Sequence, residues 1–388
     1  MLLFCVTLIM KRSTSRSAAS PKRPRSTPAS RLPATRRSWQ ATKLGSIAGL
    51  EEVESAVPAP GEGEVVVGVT AIGLNYADVF CVLGLYEAAN KHLKEAGDGA
   101  LCPGLEFAGE VLAVGPQVST LAPGDRVFGF TRFGAYRTAV VQSEQLLRKL
   151  PEGWTDAEGA ALLVQGLTAW HGMVELGGAR EGSRVLVHAA AGGTGCAALQ
   201  ICASLGCDAV GVVSSEAKAA FLRERFPRCE PLVRSAEPKA YSAQLAARPA
   251  FDVVVESLGG GFFHAGLDAV APGGRLVTFG FSQQYGGSSV DGIWKWLKLV
   301  PAYLRRPMVD PGKLVPKNRS VMGFNLIWLT ERRDMLVAEL DAMCGRGGLQ
   351  ARPPAIGREY DWAELPAALA YLRSGAHTGK VVVTVQRP

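Results

Sequence analysis

Apolar residues follow two different patterns in the two halves of the chain. In the first half, strand-like segments are separated by Gly and Pro signals: 63–76, 105–118, 125–130 and 135–142. Along residues 63–76 the apolar positions alternate before they become continuous, which is typical of a strand that runs into a core. We therefore predict an irregular, mostly β first half, with ordered structure beginning near residue 38.

From about residue 163, apolar runs alternate with segments of helical spacing. Strands are predicted at 184–190, 208–214, 251–258 and 275–281, and helices at 194–206 and 216–226. Strands that are unbroken apolar runs between helices indicate a parallel sheet covered on both faces. A helix at 361–375 and a strand at 380–386 are then placed to return to the first domain. The pattern predicts an α/β protein of two domains, 38–162 with 321–388, and 163–320.

Charge is distributed unevenly and changes the interpretation of the first residues. Residues 1–50 contain ten Lys or Arg and no acidic residue, which leaves 32 basic against 35 acidic side chains elsewhere. A basic surface for nucleic acid is therefore not indicated in the body of the chain. Residues 1–37 are rich in Ser, Arg, Pro and Ala, a composition typical of an organellar transit peptide or a disordered tail. We expect a plastid or mitochondrial location, with a cytoplasmic one as the alternative.

A glycine-rich segment, AAAGGTG at 189–195, lies between a predicted strand and a predicted helix. Gly192, Gly193 and Gly195 allow a tight turn and close approach to a pyrophosphate, and Thr194 stands with them at the helix start. A glycine turn alone is weak evidence. The strand–turn–helix context favours a dinucleotide site.

The end of the second strand indicates which dinucleotide is bound. NAD sites usually carry Asp or Glu about twenty residues after the glycine loop, to hold the ribose hydroxyls. Here Ser214 and Ser215 follow the strand, and Lys218 lies in the next helix. A 2′-phosphate is bound by hydroxyl donors and a cation and repelled by an acid, so NADPH is predicted over NADH. Alternatively, Lys218 is simply a solvated helix residue.

Three segments also carry a family resemblance. GLNYADVF (73–80), QGLTAW (165–170) and AAAGGTG resemble the zinc-free quinone oxidoreductase, or zeta-crystallin, branch of the medium-chain dehydrogenase/reductase superfamily. Within it, DVVVESLGG, LVTFGFS, residues 293–307 and VMGFNL are most similar to the VAT-1 homologue group, and HTGKVVVTV (377–385) resembles the closing strand. The resemblance implies a GroES-like, mostly-β catalytic domain and a Rossmann, doubly wound cofactor domain.

The same resemblance implies a reaction and its residues. It suggests hydride transfer from NADPH to a quinone or to the activated C=C bond of an enal or enone, in a protein expected to be a homodimer. Asn75 and Asp78 would lie near the nicotinamide, Tyr86 would be a proton donor, and Thr168 would lie near the nicotinamide amide. The alternatives are structural: Asn75 and Asp78 as turn caps, Thr168 as a helix cap and Tyr86 as a packing residue.

Further cofactor contacts are implied at Phe281, Phe324 and Lys380. Arg234 stands where the family often has a Tyr that contacts the adenosine phosphate. An Arg there can bind phosphate or stack on adenine, so this contact stays open.

No metal is predicted. Zinc-dependent members of the superfamily have Cys where this chain has Asn75 and His where it has Leu105, and Glu106 alone cannot assemble a tetrahedral site. The eight cysteines form no Cys-x-x-Cys pair, and the five histidines show no ligand spacing. In this interpretation, the absence of these zinc ligands excludes a zinc alcohol dehydrogenase.

A basic-aromatic segment, IWKWLKLVPAYLRRP at 293–307, supports a hypothesis of another class. Aromatic side chains beside bases can dock on an anionic membrane surface, or they can form a lid or a subunit contact. The alternative to the enzyme is therefore a nucleotide-binding, membrane-associated interaction protein with little turnover.

Overall fold

The computed structural model describes residues 32–96, 99–281, 306–345, 349 and 352–386. The leader through residue 31 and residues 293–305 of the basic-aromatic segment lie outside the described residues. Within the described ranges, no helix is both long and apolar enough to cross a bilayer.

The first domain begins with a hairpin and continues as an antiparallel sheet. Its elements are β1 (Thr35–Ala41), β2 (Leu50–Ala56), β3 (Glu64–Gly73), α1 (Tyr76–Val82), α2 (Glu87–Ala96), β4 (Glu106–Val114), β5 (Arg126–Phe130), β6 (Ala139–Ser143), β7 (Leu147–Lys149) and α3 (Asp156–Gly159). The β3 strand is central: it pairs antiparallel with β4 from Val65↔Val114 to Gly73↔Glu106 and with β6 on its outer end. Continuous burial of its valines explains why its apolar run does not alternate throughout.

The second domain alternates strands and helices. Its elements are α4 (Leu163–Trp170), β8 (Arg184–Val187), α5 (Gly193–Leu205), β9 (Asp208–Val213), α6 (Glu216–Arg225), β10 (Cys229–Val233), α7 (Pro238–Ala246), β11 (Phe251–Glu256), α8 (Gly260–Asp268), β12 (Val270–Thr278), α9 (Pro311–Leu314), β13 (Ser320–Gly323), α10 (Leu326–Leu329) and α11 (Arg333–Cys344). The sheet order is β10-β9-β8-β11-β12-β13, with every pair parallel. The order reverses between β8 and β11, and a crevice at such a switch point is where doubly wound sheets bind ligands.

The chain then returns to the first domain through β14 (Ile356–Asp361), α12 (Leu365–Ser374) and β15 (Lys380–Thr384). The β15 strand pairs with β3 and with β14, so the last strand completes the first sheet. The expected α/β class, with a GroES-like sheet and a Rossmann sheet, is confirmed.

Two of the three expected domain boundaries differ from the ends of the elements in the structure. Residues 320–323 form the edge strand β13 of the parallel sheet, and α11 packs against α4, so the first domain resumes near Ile356 rather than at residue 321. The leader was expected to extend to residue 37, but β1 starts at Thr35, and Arg37 Nη1 lies 3.2 Å from Glu52 Oε1. Pairing with β2 orders these residues despite their basic composition.

Some element ends also differ from the pattern. The β3 strand ends at Gly73 because Asn75 caps α1, and β4 ends at Val114 ahead of a Gly-Pro turn. The helix expected over 361–375 begins only at Leu365, after a capping box formed by Asp361 and Glu364.

Candidate active site

A cavity of about 1110 Å³ opens between the carboxyl edge of the parallel sheet and the first domain. Elements of both domains contribute to its wall, including Asn75, Tyr86, Leu105, Thr168, Gly192, Gly193, Thr194, Gly195, Ser214, Lys218, Arg234, Phe281, Phe324, Asn325 and His377. Twelve of the fifteen catalytic and cofactor-binding residues predicted from the sequence line this cavity. The other three are Asp78, Ser215 and Lys380.

The glycine loop is shaped by close backbone approach. Ala189 has a positive φ of 50°, and a Cβ on Gly195 would lie 2.4 Å from the Ala189 carbonyl oxygen. The α5 helix begins at Gly193, where a Cβ would lie 3.1 Å from the Gln165 side chain. The backbone N–H groups at this helix start therefore face the cavity without side chains in between, which suits an anionic group.

Two of the three polar residues after β9 face the cavity. Ser214 and Lys218 line it, while the Ser215 hydroxyl accepts the backbone N–H of Lys218 and caps α6. Ser215 is therefore a helix cap in this structure, and its contact with a cofactor stays a prediction. Lys218 Nζ donates to the Gly375 carbonyl at 2.6 Å, and burial, with Arg234 nearby, lowers the pKa of Lys218.

Arg234 also lines the cavity. Its guanidinium carbon lies 4.3 Å from the centroid of the Phe262 ring, and Nη1 donates to the Ser235 carbonyl at 3.3 Å. The cation is held over an aromatic face at the edge of the site, in reach of an anionic ligand on its open side.

Asn75 is fixed at the inner end of the cavity by a buried polar network. Its Nδ2 donates to Glu106 Oε1 at 3.1 Å, and its Oδ1 accepts from Gln165 Nε2 at 2.7 Å. Only 6% of Asn75 is exposed. Both ends of the amide have partners, so its orientation is set by the surrounding side chains.

Lys380 belongs to this network and not to the cavity wall. Its Nζ lies 2.5 Å from Glu106 Oε1 and 3.2 Å from Asn75 Oδ1, and only 2% of the residue is exposed. Burial lowers the pKa of Lys380, and the Glu106 carboxylate opposes that effect. The ammonium is bound to Glu106 and Asn75 and does not line the cavity, and its contact with a cofactor stays a prediction.

Asp78 is likewise structural. It is fully buried, and its Oδ2 accepts from the Asn75 backbone N–H at 2.8 Å and from the Tyr136 hydroxyl at 3.0 Å. Burial raises the pKa of Asp78 from 3.8 to about 7. Asp78 is the third residue of α1 and completes a capping box with Asn75, which accounts for its place without a catalytic role.

Tyr86 and Thr168 reach the cavity with their hydroxyls already engaged. The Tyr86 hydroxyl donates to Asn325 Oδ1 at 2.8 Å, and burial raises the pKa of Tyr86. Thr168 lies inside α4 and donates to the Val164 carbonyl at 2.6 Å, so it does not cap the helix. A hydroxyl that donates to its own helix still has lone pairs to offer a ligand.

The two aromatic residues expected at the cofactor differ in their surroundings. Phe281 is 39% exposed at the cavity rim. Phe324 packs its ring 4.8 Å from that of His171, which in turn lies 3.0 Å from Glu339 Oε1 in the interior. Phe324 is therefore held by packing in the interior, whereas Phe281 lies at the exposed rim of the cavity.

Three polar residues of the site escaped the sequence reasoning: Gln165, His188 and His377. Gln165 lies in the QGLTAW segment and anchors Asn75. His188 lines the cavity with Nε2 2.7 Å from the Tyr241 hydroxyl and Nδ1 3.3 Å from Glu256. Their partners lie far along the chain, although a His directly before the glycine loop is a signal that could have been followed.

The donor set does not fit a zinc ion. In the part of the chain that the structure describes, no group of three or more His, Cys, Asp or Glu side chains could hold a metal. The Lys380 ammonium already lies against the Glu106 carboxylate, and it would repel a cation placed there.

Two family descriptions match this chain. "Alcohol dehydrogenase GroES-like domain" matches residues 61–152, and "Zinc-binding dehydrogenase" matches residues 234–383. The synaptic vesicle membrane protein VAT-1 homolog of Rattus norvegicus is 30% identical over 86% of this chain and 80% of its own length. The chain belongs to the medium-chain dehydrogenase/reductase superfamily.

Some curated relatives are much longer than this chain. Spectinabilin polyketide synthase system protein NorB of Streptomyces orinoci is 34% identical over 86% of this chain. That match spans only 14% of NorB, and the next curated relatives are covered to a similarly small extent.

Solved structures of the superfamily include enzymes of two kinds. CurK enoyl reductase has a TM-score of 0.74 at 27% identity and covers 90% of this chain and 99% of its own. A Pseudomonas syringae quinone oxidoreductase has a TM-score of 0.70 at 29% identity, and mycobacterial Rv1454c complexed with NADPH has 0.72 at 26%; both cover 90% of this chain and 99% of their own. These three structures share the two-domain fold of this chain.

Proposed function

We propose that this protein is an NADPH-dependent reductase of quinones or of activated C=C bonds in enals and enones, and that it works without a metal ion. The observation that carries the proposal is a single cavity that joins the bare glycine loop to the Asn75 amide. When bound, the nicotinamide supplies the hydride, and the protein supplies position and hydrogen bonds.

The phosphate end of the cavity supports NADPH over NADH. Ser214, Lys218 and Arg234 line it after the second and third strands. A hydroxyl and two cations suit the dianionic 2′-phosphate, whereas NAD sites usually present a carboxylate at the end of the second strand. The structure with NADPH among the relatives points the same way for that protein.

The opposite end supports an apolar, conjugated acceptor. Its wall includes Tyr76, Phe80, Leu85, Leu105 and Ile327. The polar groups there are few, and such a lining favours a flat apolar molecule held by one or two hydrogen bonds. Names among the relatives, enoyl reductase and quinone oxidoreductase, agree with that acceptor class.

We assign roles to three of the polar side chains that line the cavity. The Asn75 amide, fixed by Gln165, orients the reacting pair. Thr168, whose proton is given to the Val164 carbonyl, offers lone pairs to the amide N–H of a bound nicotinamide. Tyr86 is the candidate proton donor, and its hydroxyl would exchange Asn325 Oδ1 for the acceptor oxygen. Because burial raises the Tyr86 pKa, its phenol stays protonated at neutral pH and is able to donate a hydrogen bond.

The decisive experiment follows NADPH oxidation by the purified protein with quinones, alkenals and enoyl thioesters. We expect turnover with at least one class, a loss of tenfold or more in kcat/KM for Asn75→Ala, and unchanged activity after exhaustive chelation. The exposed residue His264, on α8, gives a matched control as His264→Gln, which should behave as the unmodified protein. NADPH binding without turnover on any class would overturn the enzyme proposal, and activity lost with a stoichiometric metal would overturn metal independence.

The interaction-protein alternative rests on residues 293–307, most of which lie outside the described residues.

We also propose an organellar location on the basis of the acid-free first segment. Composition carries this proposal, since the segment lies outside the described residues. The N-terminal sequence of the protein isolated from fractionated cells tests it: a cytosolic product that retains Met1 would contradict it.

A further inference from the structure

His377 lies where the closing segment of the chain meets the glycine loop. Gly192 forms a parallel bridge with Gly379, and the Gly379 N–H donates to the Ala191 carbonyl at 2.7 Å. This backbone contact places the His377 ring beside the loop: Nε2 lies 4.0 Å from the position that a Cβ on Gly192 would occupy. His377 is part of the cavity wall.

The hydrogen bonding of this ring is incomplete. Nδ1 of His377 is buried and has no hydrogen-bond partner among the described residues. A neutral imidazole has one donor nitrogen and one acceptor nitrogen, whereas the protonated ring has two donors. An anion beside Nε2 would accept the N–H there, and its negative charge would favour the protonated ring.

The charged groups that act on His377 are both cations. Lys218 approaches from α6, and its Nζ is bound to the Gly375 carbonyl. Lys380 is the first residue of β15, and its Nζ is bound to Glu106. Tyr371 of α12 packs its ring 6.4 Å away, and Arg373 lines the same cavity. Burial, followed by Lys218 and Lys380, lowers the pKa of His377 to about 4.

We propose that His377 contacts the diphosphate of the bound dinucleotide and takes up a proton when the dinucleotide binds. The inference rests on the proposed function, because it requires that the glycine loop bind a dinucleotide. The loop amides and His377 then hold the same group from two domains. Two negative charges oppose the effect of the two lysines and raise the pKa of His377 in the complex, while burial, the larger cause of the lowered pKa, remains.

This uptake predicts tighter binding at lower pH. The pKa of about 4 in the free protein rises in the complex, so affinity should increase as pH falls, by up to about tenfold for each pH unit between the two pKa values. ADP-ribose is the probe of choice because it carries the diphosphate and lacks both the nicotinamide and the 2′-phosphate. The 2′-phosphate of NADPH titrates near pH 6 itself and would obscure the result.

The test is calorimetric titration of the full chain with ADP-ribose at pH 6, in buffers of different ionisation enthalpy. We expect a measurable fraction of a proton to be taken up, an uptake lost in His377→Gln and kept in the control His264→Gln. Gln preserves a hydrogen-bond donor but cannot be protonated, so binding of His377→Gln should persist with little dependence on pH. NMR titration of the His377 ring, with and without ADP-ribose, measures the same shift directly.

The outcomes separate the two proposals. Binding of ADP-ribose without proton uptake, or the same uptake in His377→Gln, would overturn this inference and leave the proposed function intact. Uptake with NADPH but not with ADP-ribose would refute the assignment to the diphosphate. No binding of ADP-ribose or NADPH at any pH would overturn both proposals.

Discussion

Replacement of Lys380 by Met tests the buried network most directly. The substitution keeps the length of the side chain but removes the ammonium that lies 2.5 Å from Glu106, and both residues are at most 2% exposed. The carboxylate would keep the donors of Asn75 Nδ2 and the Val164 backbone N–H. Because removing one partner leaves a buried charge unpaired, we expect unfolding to become easier by about 3–5 kcal/mol, nearer 3 with those donors present.

An exposed pair in the same chain provides the control. Lys149 Nζ lies 2.9 Å from Asp125 Oδ2, but the lysine side chain is 59% exposed. Lys149→Met should therefore cost less than about 1 kcal/mol. Urea denaturation followed by circular dichroism, with each variant beside the unmodified protein, gives the two values on one scale.

A double variant separates charge from packing. In Lys380→Met with Glu106→Gln, the carboxylate charge is gone and the amide can still bond Asn75, so a substantial part of the stability should return. If Lys380→Met costs no more than Lys149→Met, the buried pair does not stabilise the network as reasoned. If the double variant is no better than the single one, lost packing rather than an unpaired charge explains the effect.

Three further predictions concern the cofactor end, a buried acid and the chain start. Lys218→Ala should weaken NADPH binding about 10- to 100-fold, the worth of one charge-assisted hydrogen bond, and NADH binding much less; equal losses for the two in equilibrium titrations would contradict a 2′-phosphate contact. For Asp78, the folded pKa of about 7 exceeds the usual 3.8, so the folded state holds the extra proton between these values and stability falls as pH rises from about 4 to 7. The free energy of unfolding should fall by on the order of 4 kcal/mol over this pH range. Urea midpoints measured from pH 4 to 7 should show this fall in the unmodified protein and lose it in Asp78→Asn, and the same pH dependence in both proteins would refute the prediction. A chain starting at residue 32 should match the full chain in thermal unfolding, whereas one starting at Ser38 loses three residues of β1 and should melt earlier; equal melting temperatures would show that these residues add no stability.

The sheets and the glycine loop could be predicted from sequence because their signals are local. The β8, β9 and β11 strands are short apolar runs bounded by turn residues, and AAAGGTG sits directly between a strand and a helix. Each such signal is complete within about ten residues.

The buried network could not be predicted because its partners are distant. Lys380 is 305 positions from Asn75 and 274 from Glu106. A lysine at the start of the closing strand gives the same sequence pattern whether it contacts a ligand or a carboxylate. Only the fold shows which of the two lies beside it. The β13 edge strand was not predicted for a different reason: its four residues show too little periodicity to identify a strand.

Two capping residues had local signals that sequence reasoning could have weighted more. Ser215 directly precedes a helix and is therefore placed as an N-cap, and Asp78 stands three residues after Asn75 in the spacing of a capping box. Asp78 takes the capping role that was its structural alternative, and Ser215 caps α6. Ser214, one residue before Ser215, faces the cavity.

The bridge between Gly192 and Gly379 has a consequence for engineering. The glycine loop is not the property of one domain, since its Ala191 carbonyl is bonded by a residue that returns with the last strand. A chimera that exchanges the parallel-sheet domain between relatives therefore divides a single structural unit unless residues 375–380 travel with it. A recombination point placed after β15 keeps the loop and its partner from the same parent, whereas one placed before Ile356 separates them.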